Sequence, residues 1–402
     1  MTATHADSDL VAMGPFDHEP RTRLVFGPDT VDRVGELART LSARRVLLVT
    51  DRGIVSAGHA ERARRSLETA GLSVVLFDQV IENPTTRCVE NCREVAQAGG
   101  IDTLVGLGGG SSLDTAKGCN FLLTNGGRMQ DYWGVGKASK AMLPLIAIPT
   151  TAGTGSECQS FALITEEATH QKMACGDPKA AARIAILDPT LTVSQPPRVT
   201  ACTGIDAIAH AVETAVTRKR SPLSQLYSQA AFKLCVAGLP RVLTNPQDLE
   251  ARSRMLLGAA WAGTAIENSM LGAAHSAANP LTAHYGIVHG EAVGLMLPWV
   301  VRFNAEAPAV RQTYAELACA AGLAQRDDRP DAAVQVLVAT LDSLLSLAGM
   351  PRALCERGVD RSALPQLARE AAAQWTAGFN PRPITAPDFE RLYHAAFSKG
   401  PV

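Results

Sequence analysis

The chain has 402 residues, 46% hydrophobic and 19% charged, with a formal net charge of −1. That composition supports a large core and excludes extensive disorder, and the length predicts two or three domains. There is no long run of Lys or Arg, which excludes a nucleic acid or other polyanion as partner, because such binding rests on clustered cations.

Residues 1–20, MTATHADSDLVAMGPFDHEP, read as a loose arm. They have neither a basic start nor a long apolar run, so they do not read as a signal peptide. No stretch reaches the ~18 apolar residues that a bilayer span needs, so no membrane partner is expected. The cysteines are irregularly spaced, with only Cys88 and Cys92 close together. That pattern fits a reducing, cytoplasmic setting better than a disulfide framework or a structural zinc site.

From Arg23 the pattern turns α/β. RRVLLVTD (Arg44–Asp51) predicts a strand, Ala60–Ala70 a helix, SVVLFDQV (Ser73–Val80) a strand and Cys88–Ala98 a helix. TLVGLGGGSSLDTAK (Thr103–Lys117) is a strand that breaks into glycines and restarts as a helix. PLIAIPTT (Pro144–Thr151) and ARIAILDP (Ala182–Pro189) are later strands. This alternation predicts a mostly parallel sheet. After about Gln195 strand-like runs stop, and Ser224–Leu239, Ala251–Ala265 and Ala332–Ala348 carry the helical period. The short basic cluster Arg218–Arg220 reads as a solvated helix end. The expected fold is an α/β N-terminal domain, 21–195, followed by an all-α C-terminal domain, 196–402.

Several stretches carry chemistry. In GLGGGSSLDTAK (Gly106–Lys117) the glycines let a ligand approach the backbone, and the helix start behind them suits a phosphate. A tight turn without ligand is the alternative, since neither GxGxxG nor a GK[ST] ending is present. Asp51 ends its strand where a carboxylate can take ribose hydroxyls and repel a 2′-phosphate; it can equally cap a helix. IPTTAGTGSE (Ile148–Glu157) is a second loop at a strand's carboxyl end, with Thr150, Thr151 and Thr154 as candidate donors to a ligand. In GIDAIAHAVE, Asp206 and His210 stand at i, i+4 on one helix face, among apolar neighbours. They read either as a hydrogen-bonded pair or as two ligands of a metal. LGAAHSAANPLTAHYGIVHG (Leu271–Gly290) adds His275, His284 and His289 among small residues. One carboxylate with two or three imidazoles suits Fe(II), Zn(II) or a similar ion.

GGGSSLDTAK, IPTTAGTGSE, TGIDAIAHAVE and LGAAHSAANPLTAHYGIVHG stand in this order at these separations. Through them the chain resembles the iron-containing (group III) alcohol dehydrogenase family, from FGPDTVDRVG (Phe26–Gly35) to FNPRPIT (Phe379–Thr385). The resemblance implies an NAD-binding α/β domain, a helical metal-binding domain and a cleft between them. It implies metal ligation by Asp206, His210, His275 and His289, with Fe(II) expected and Zn, Mn, Ni or Mg as alternatives. It implies hydride transfer between a primary alcohol or aldehyde and the nicotinamide of NAD, in preference to NADP. Gly108, Gly109, Gly110 and Ser111 would hold the pyrophosphate, and Asp51 the adenosine ribose. Asp114, Thr150, Thr151, Thr154, Lys172 and Leu191 would line the cofactor cleft. His284 is not a ligand position in the family; it reads as a cleft or surface residue, with a proton relay as the minor reading. Asn279 stands where the family often has a histidine, which removes an imidazole relay there and reshapes the pocket. A homodimer or higher homo-oligomer is expected. The rival readings are a dehydroquinate synthase-like lyase and a non-catalytic NAD-binding scaffold. The lyase family uses Glu as its carboxylate ligand and a basic phosphate pocket, and a scaffold would have no use for four metal ligands.

Overall fold

The computed structural model of the chain describes residues 16–169 and 171–398. Within them the strands are β1 (Arg23–Phe26), β2 (Arg45–Val49), β3 (Ser73–Phe77), β4 (Thr103–Gly108), β5 (Gly134–Val135), β6 (Leu145–Pro149), β7 (Phe161–Thr165), β8 (Lys172–Gly176) and β9 (Ile184–Leu187). Helices α1 (Val34–Thr40), α2 (Arg52–Ser56), α3 (His59–Thr69), α4 (Thr86–Gly99) and α5 (Gly110–Asn125) alternate with them. Beyond Pro197 the described chain is helical: α6 (Pro197–Thr214), α7 (Pro222–Thr244), α8 (Leu249–Glu267), α9 (Ala273–Tyr285), α10 (His289–Ala305), α11 (Pro308–Ala320), α12 (Pro330–Leu347), α13 (Leu364–Ala373) and α14 (Ala386–Phe397).

Six strands form one parallel sheet in the order β1-β9-β6-β4-β2-β3. Successive residues of a strand point to opposite faces. Val46, Leu48, Val105 and Leu107 pack against α1 and α3, whereas Leu47, Val49 and Leu104 pack against α4 and α5. A sheet covered on both faces needs apolar residues at every position, which is why its strands read as continuous apolar runs. From β2 the chain goes to β3 on one side, while β4, β6 and β9 build outward on the other. The order therefore reverses between β2 and β4, and a crevice opens at their carboxyl ends. β1 is an outer strand whose sheet partner is β9, with Arg23 opposite Ile184.

The sequence reading placed no strand between Thr151 and Ala182. The structure has an antiparallel hairpin there, β7 with β8, running from Phe161 opposite Gly176 to Thr165 opposite Lys172. Its inward face is short and carries Met173 and Cys175 beside Ala162 and Ile164. Such residues give a weak strand signal. Of the expected N-terminal arm, residues 1–15 lie outside the described residues. The remainder lies against the end of α8, where His18 Nδ1 is 3.2 Å from Asn268 Oδ1. Just beyond it, Arg21 pairs with Glu267 at 2.8 Å, and Glu267 also accepts from the backbone and hydroxyl of Ser160. The Arg218–Arg220 cluster is an exposed turn after α6. α12 has the length and hydropathy of a membrane span. However, it carries Asp331 and Asp342 and buries Ala333, Leu337, Leu341 and Leu344 in the helical core.

The two halves meet backbone to backbone. Gly155, at φ +62°, lies so close to Gly263 of α8 that a Cβ on Gly263 would sit 2.3 Å from the Gly155 carbonyl oxygen. A Cβ on Gly153 would sit 2.4 Å from Cβ of Thr203 on α6. Alanine is worth ~1 kcal/mol over glycine inside a helix. At position 263 the clash is with backbone, which yields less than a side chain, so overpacking of roughly 1–3 kcal/mol at its upper end wins. G263A is therefore expected to melt below the wild type. An equal or higher melting temperature would show that the loop is not seated on α8.

Candidate functional site

Three elements of the helical half converge on one carboxylate oxygen. Asp206 and His210 lie one turn apart on α6, His275 is in the first turn of α9, and His289 opens α10. His210 Nε2 and His275 Nε2 each lie 3.4 Å from Asp206 Oδ1, and His289 Nε2 lies 4.0 Å from it. The rings of His210 and His275 stack at 4.8 Å. Asp206, His210 and His275 are 4–5% exposed, whereas 32% of the His289 side chain is open. His289 reaches the cluster because it is followed by Gly290. A Cβ there would meet the Cys202 carbonyl oxygen of α6 at 2.1 Å, so only glycine lets α10 start this close.

Asp206 Oδ1 and His275 Nε2 are buried without a hydrogen-bond partner among the described residues. Leaving such atoms unpaired is expensive, and one carboxylate oxygen with three imidazole nitrogens is a donor set that fits a divalent cation. Potential ligand atoms of Asp206, His210 and His275 lie within 4.8 Å of one another. Burial pushes the Asp206 carboxyl up, but the His210, His275 and His289 imidazoles together hold it below the usual carboxylate range. Burial pushes His210 down, so it keeps a free lone pair at neutral pH. Burial also opposes charge on His275, but the Glu213 and Asp206 carboxylates on its two sides overcome it and raise it to about 9.

Sequence reading missed Glu213. It lies at i+7 from Asp206 on the same face of α6, and it is 3% exposed. Glu213 Oε2 is 2.5 Å from His275 Nδ1, and Glu213 Oε1 accepts from the Ala274 backbone N–H at 2.7 Å. The carboxylate thus fixes the ring and turns Nε2 towards Asp206. No side chain of the preceding residue caps α9, because its N-cap is Gly272. The Ala273 N–H instead meets Asn380 Oδ1 at 3.4 Å, and Asn380 is clamped by reciprocal amide bonds of 2.8 and 3.0 Å to Asn304. The apolar neighbours of a Glu one helical turn past His210 were the available signal. Asn380, far along the chain, left none beyond its place in FNPRPIT.

The other histidine of the stretch is set apart. His284 lies nine residues from His275, two and a half helical turns, and so faces the opposite way. Its Nε2 is 2.7 Å from Glu370 Oε2 at the surface, which removes it as a relay for this cluster. Asn279 is one turn from His275 on the same face, and its amide donates to Gln374 Oε1 at 3.0 Å.

At the crevice between β2 and β4, Asp51 caps α2 by accepting from Ile54 N–H at 3.1 Å, and its other oxygen accepts from Ser112 at 3.5 Å. Gly108 has φ +148°, and a Cβ there would sit 2.4 Å from Ser112 Oγ. Gly109 and Gly110 give their Cβ space to Thr151 and Thr154, at 3.3 and 2.8 Å, so these glycines bring the two loops together. α5 begins beyond them with no side-chain cap. Ser111 Oγ accepts from the Asn83 backbone N–H at 3.3 Å, and Lys172 Nζ donates to Asn83 Oδ1 at 3.2 Å. Thr150 is buried below, its N–H donating to the Gly108 carbonyl at 2.9 Å. The Asp114 carboxylate is taken up by Ser156 at 2.7 Å and Leu163 N–H at 3.2 Å, beside the fully buried Lys117. Leu191 is fully buried in the core on the α1–α3 face, so its side chain lines no cleft.

The sequence profile described as iron-containing alcohol dehydrogenase matches residues 20–189, and that of the C-terminal part of the Fe-containing alcohol dehydrogenase family matches 200–397. The chain is 34% identical over 368 residues to an NAD-dependent methanol dehydrogenase of Bacillus methanolicus, covering 92% of this chain and 96% of that one. It is 31% identical over 374 residues to a lactaldehyde reductase of Escherichia coli strain K12, covering 92% and 97%. A solved 1,3-propanediol oxidoreductase superposes with a TM-score of 0.92 at 30% identity, covering 96% of this chain and all of that one.

If Glu213 orients His275, E213Q should bind a divalent metal roughly 10–100-fold more weakly, the range for loss of a ligand's hydrogen-bond partner. Competition against a chromogenic chelator measures this without turnover. H284Q should leave metal affinity within error, and a loss there would place His284 at the cluster.

Proposed function

The chain belongs to the iron-containing alcohol dehydrogenase family, and from that premise we propose that Asp206, His210, His275 and His289 hold the family's divalent metal, Fe(II) above all. The enzyme interconverts alcohols and aldehydes with a nicotinamide cofactor. Both halves match alcohol dehydrogenase profiles, which leaves the lyase reading without support. The observation that carries the ligand assignment is the buried Asp206 Oδ1, unpartnered among the described residues, with three imidazole nitrogens 3.4–4.0 Å away.

When bound, the metal supplies Lewis-acid polarisation of the substrate oxygen, and NAD(H) accepts or supplies the hydride. The residues supply placement. Glu213 holds the Nδ1 side of His275 and leaves Nε2 for the cluster. The uncapped start of α5 and the glycines before it offer backbone N–H groups to the pyrophosphate. Asp51, next to that loop, takes ribose hydroxyls and disfavours a 2′-phosphate, which supports NAD over NADP. Lys172 stands on the hairpin side of the cleft, its ammonium donating to Asn83 Oδ1. Asn279 hydrogen-bonds but does not titrate near neutrality. The open flank of His289 therefore marks where solvent reaches the cluster and takes the alcohol's proton. The outer strand β1, with Leu24 and Phe26 exposed, supports a homo-oligomer, since an apolar sheet edge favours self-association.

Metal-loaded enzyme should oxidise primary alcohols with NAD+, lose this activity to a chelator and regain it on adding Fe(II). H275A should lose bound metal and more than roughly 100-fold in kcat/KM, the upper bound for outer-shell changes. Full metal content with a full rate in H275A would refute the ligand set.

A further inference from the structure

The two halves also meet through a run of rings. Phe161 on β7 lies 5.9 Å from Trp375, centroid to centroid, and Trp375 lies 5.7 Å from Phe379 at 89°. Trp375 and Phe379 bound the 3-10 turn that follows α13. Trp375 remains 47% exposed although two aromatic rings flank it. A large apolar ring held in place by its neighbours and still open to solvent marks a contact surface for something apolar.

Two independent links put this run beside the imidazole cluster. Asn279, on the His275 face of α9, is bonded to Gln374, the residue next to Trp375. On the hairpin, Ala162, Ile164, Met173 and Cys175 face inward. Alternation therefore gathers Phe161, Leu163 and Lys172 on the other face. Ser276, next to His275, shares a 2.8 Å hydrogen bond with Thr376, next to Trp375. The ring run and the cluster thus share one cleft wall.

Several polar side chains along this wall are bonded to one another. Asn279 donates to Gln374. Ser276 donates to the Gly272 carbonyl at 2.9 Å and shares a 2.8 Å hydrogen bond with Thr376. A site selective for a second hydroxyl keeps donors and acceptors free for it. This wall instead offers ring faces and Leu163, 39% exposed.

We propose that Phe161, Trp375 and Phe379 form the wall that takes up the carbon chain of the substrate. The preferred substrates are then primary alcohols and aldehydes bearing an aryl or long alkyl group, ahead of methanol and short diols. This rests on the dehydrogenase reading above.

The test uses metal-loaded enzyme with NAD+ on ethanol, 1-butanol, 1-hexanol, 1,3-propanediol and benzyl alcohol, for wild type, W375A and W375F. Along the linear alcohols kcat/KM should rise roughly three- to fourfold per methylene. W375A should lower the benzyl alcohol to ethanol ratio of kcat/KM about tenfold, and W375F should restore most of it. A kcat/KM for 1,3-propanediol equal to that for 1-hexanol, or an unchanged ratio in W375A, overturns the proposal. Binding is followed separately, by quenching of tryptophan fluorescence with 4-nitrobenzyl alcohol. Wild type should show a saturable component that W375F lacks. If no alcohol is oxidised but that component is present, the dehydrogenase reading fails and the wall stands. If alcohols are oxidised without chain preference, the wall fails and the dehydrogenase reading stands.

Discussion

A buried carboxylate oxygen that the protein leaves unsatisfied sets the terms for the helical half. Asp206 Oδ1 has no hydrogen-bond partner among the described residues, yet three imidazole nitrogens point at it. Neither an apolar core nor a closed polar network would tolerate that arrangement. The surroundings are built to hold it. Glu213 comes up from the same helix to fix His275, and Asn380 with Asn304 pins the start of the helix that carries it. Gly290 lets the last histidine approach.

The division of labour between the halves follows from their secondary structure. A parallel sheet collects strand ends at one edge, so the α/β half supplies loops and a helix start, suited to a phosphate chain. Helices crossing at close range supply side chains at i, i+4 and i+7, suited to a compact ligand set. The glycine pair 155 and 263 and the strap through Glu267 hold the two sets in register. A strap made of one carboxylate shared by Arg21 and Ser160 ties the chain's beginning, its hairpin and α8 at a single point.

Much of this was legible in the sequence, for physical reasons. Strands alternating with helices announced a mostly parallel sheet, and the loss of strand-like runs announced the helical C-terminal part. The i, i+4 spacing placed Asp206 and His210 on one face, while His275 and His289 came from the family resemblance. What escaped was whatever depends on partners distant in the chain. The β7–β8 hairpin has a weak local pattern. Asn380 acts on Ala273 from far along the sequence. Gly109 and Gly110 read as room for a ligand, yet their Cβ space is filled by Thr151 and Thr154. Leu191 read as cleft lining, yet it is core. Glu213 was within reach, since a Glu among apolar residues on the Asp206 face needs a buried partner.

The pairing of β1 has a bearing on how the polypeptide comes together. Strand β1 finds its place in the sheet beside β9, Arg23 against Ile184, and the strands between are laid down in the interval. During synthesis the earliest strand therefore waits with open backbone groups and an exposed Phe26 until β9 has left the ribosome. Long-range parallel pairing of this kind is slow to form, and an unpaired apolar strand is open to the wrong neighbour while it waits. The sheet of the α/β half therefore closes only after β9 is in place, just before the helical half begins.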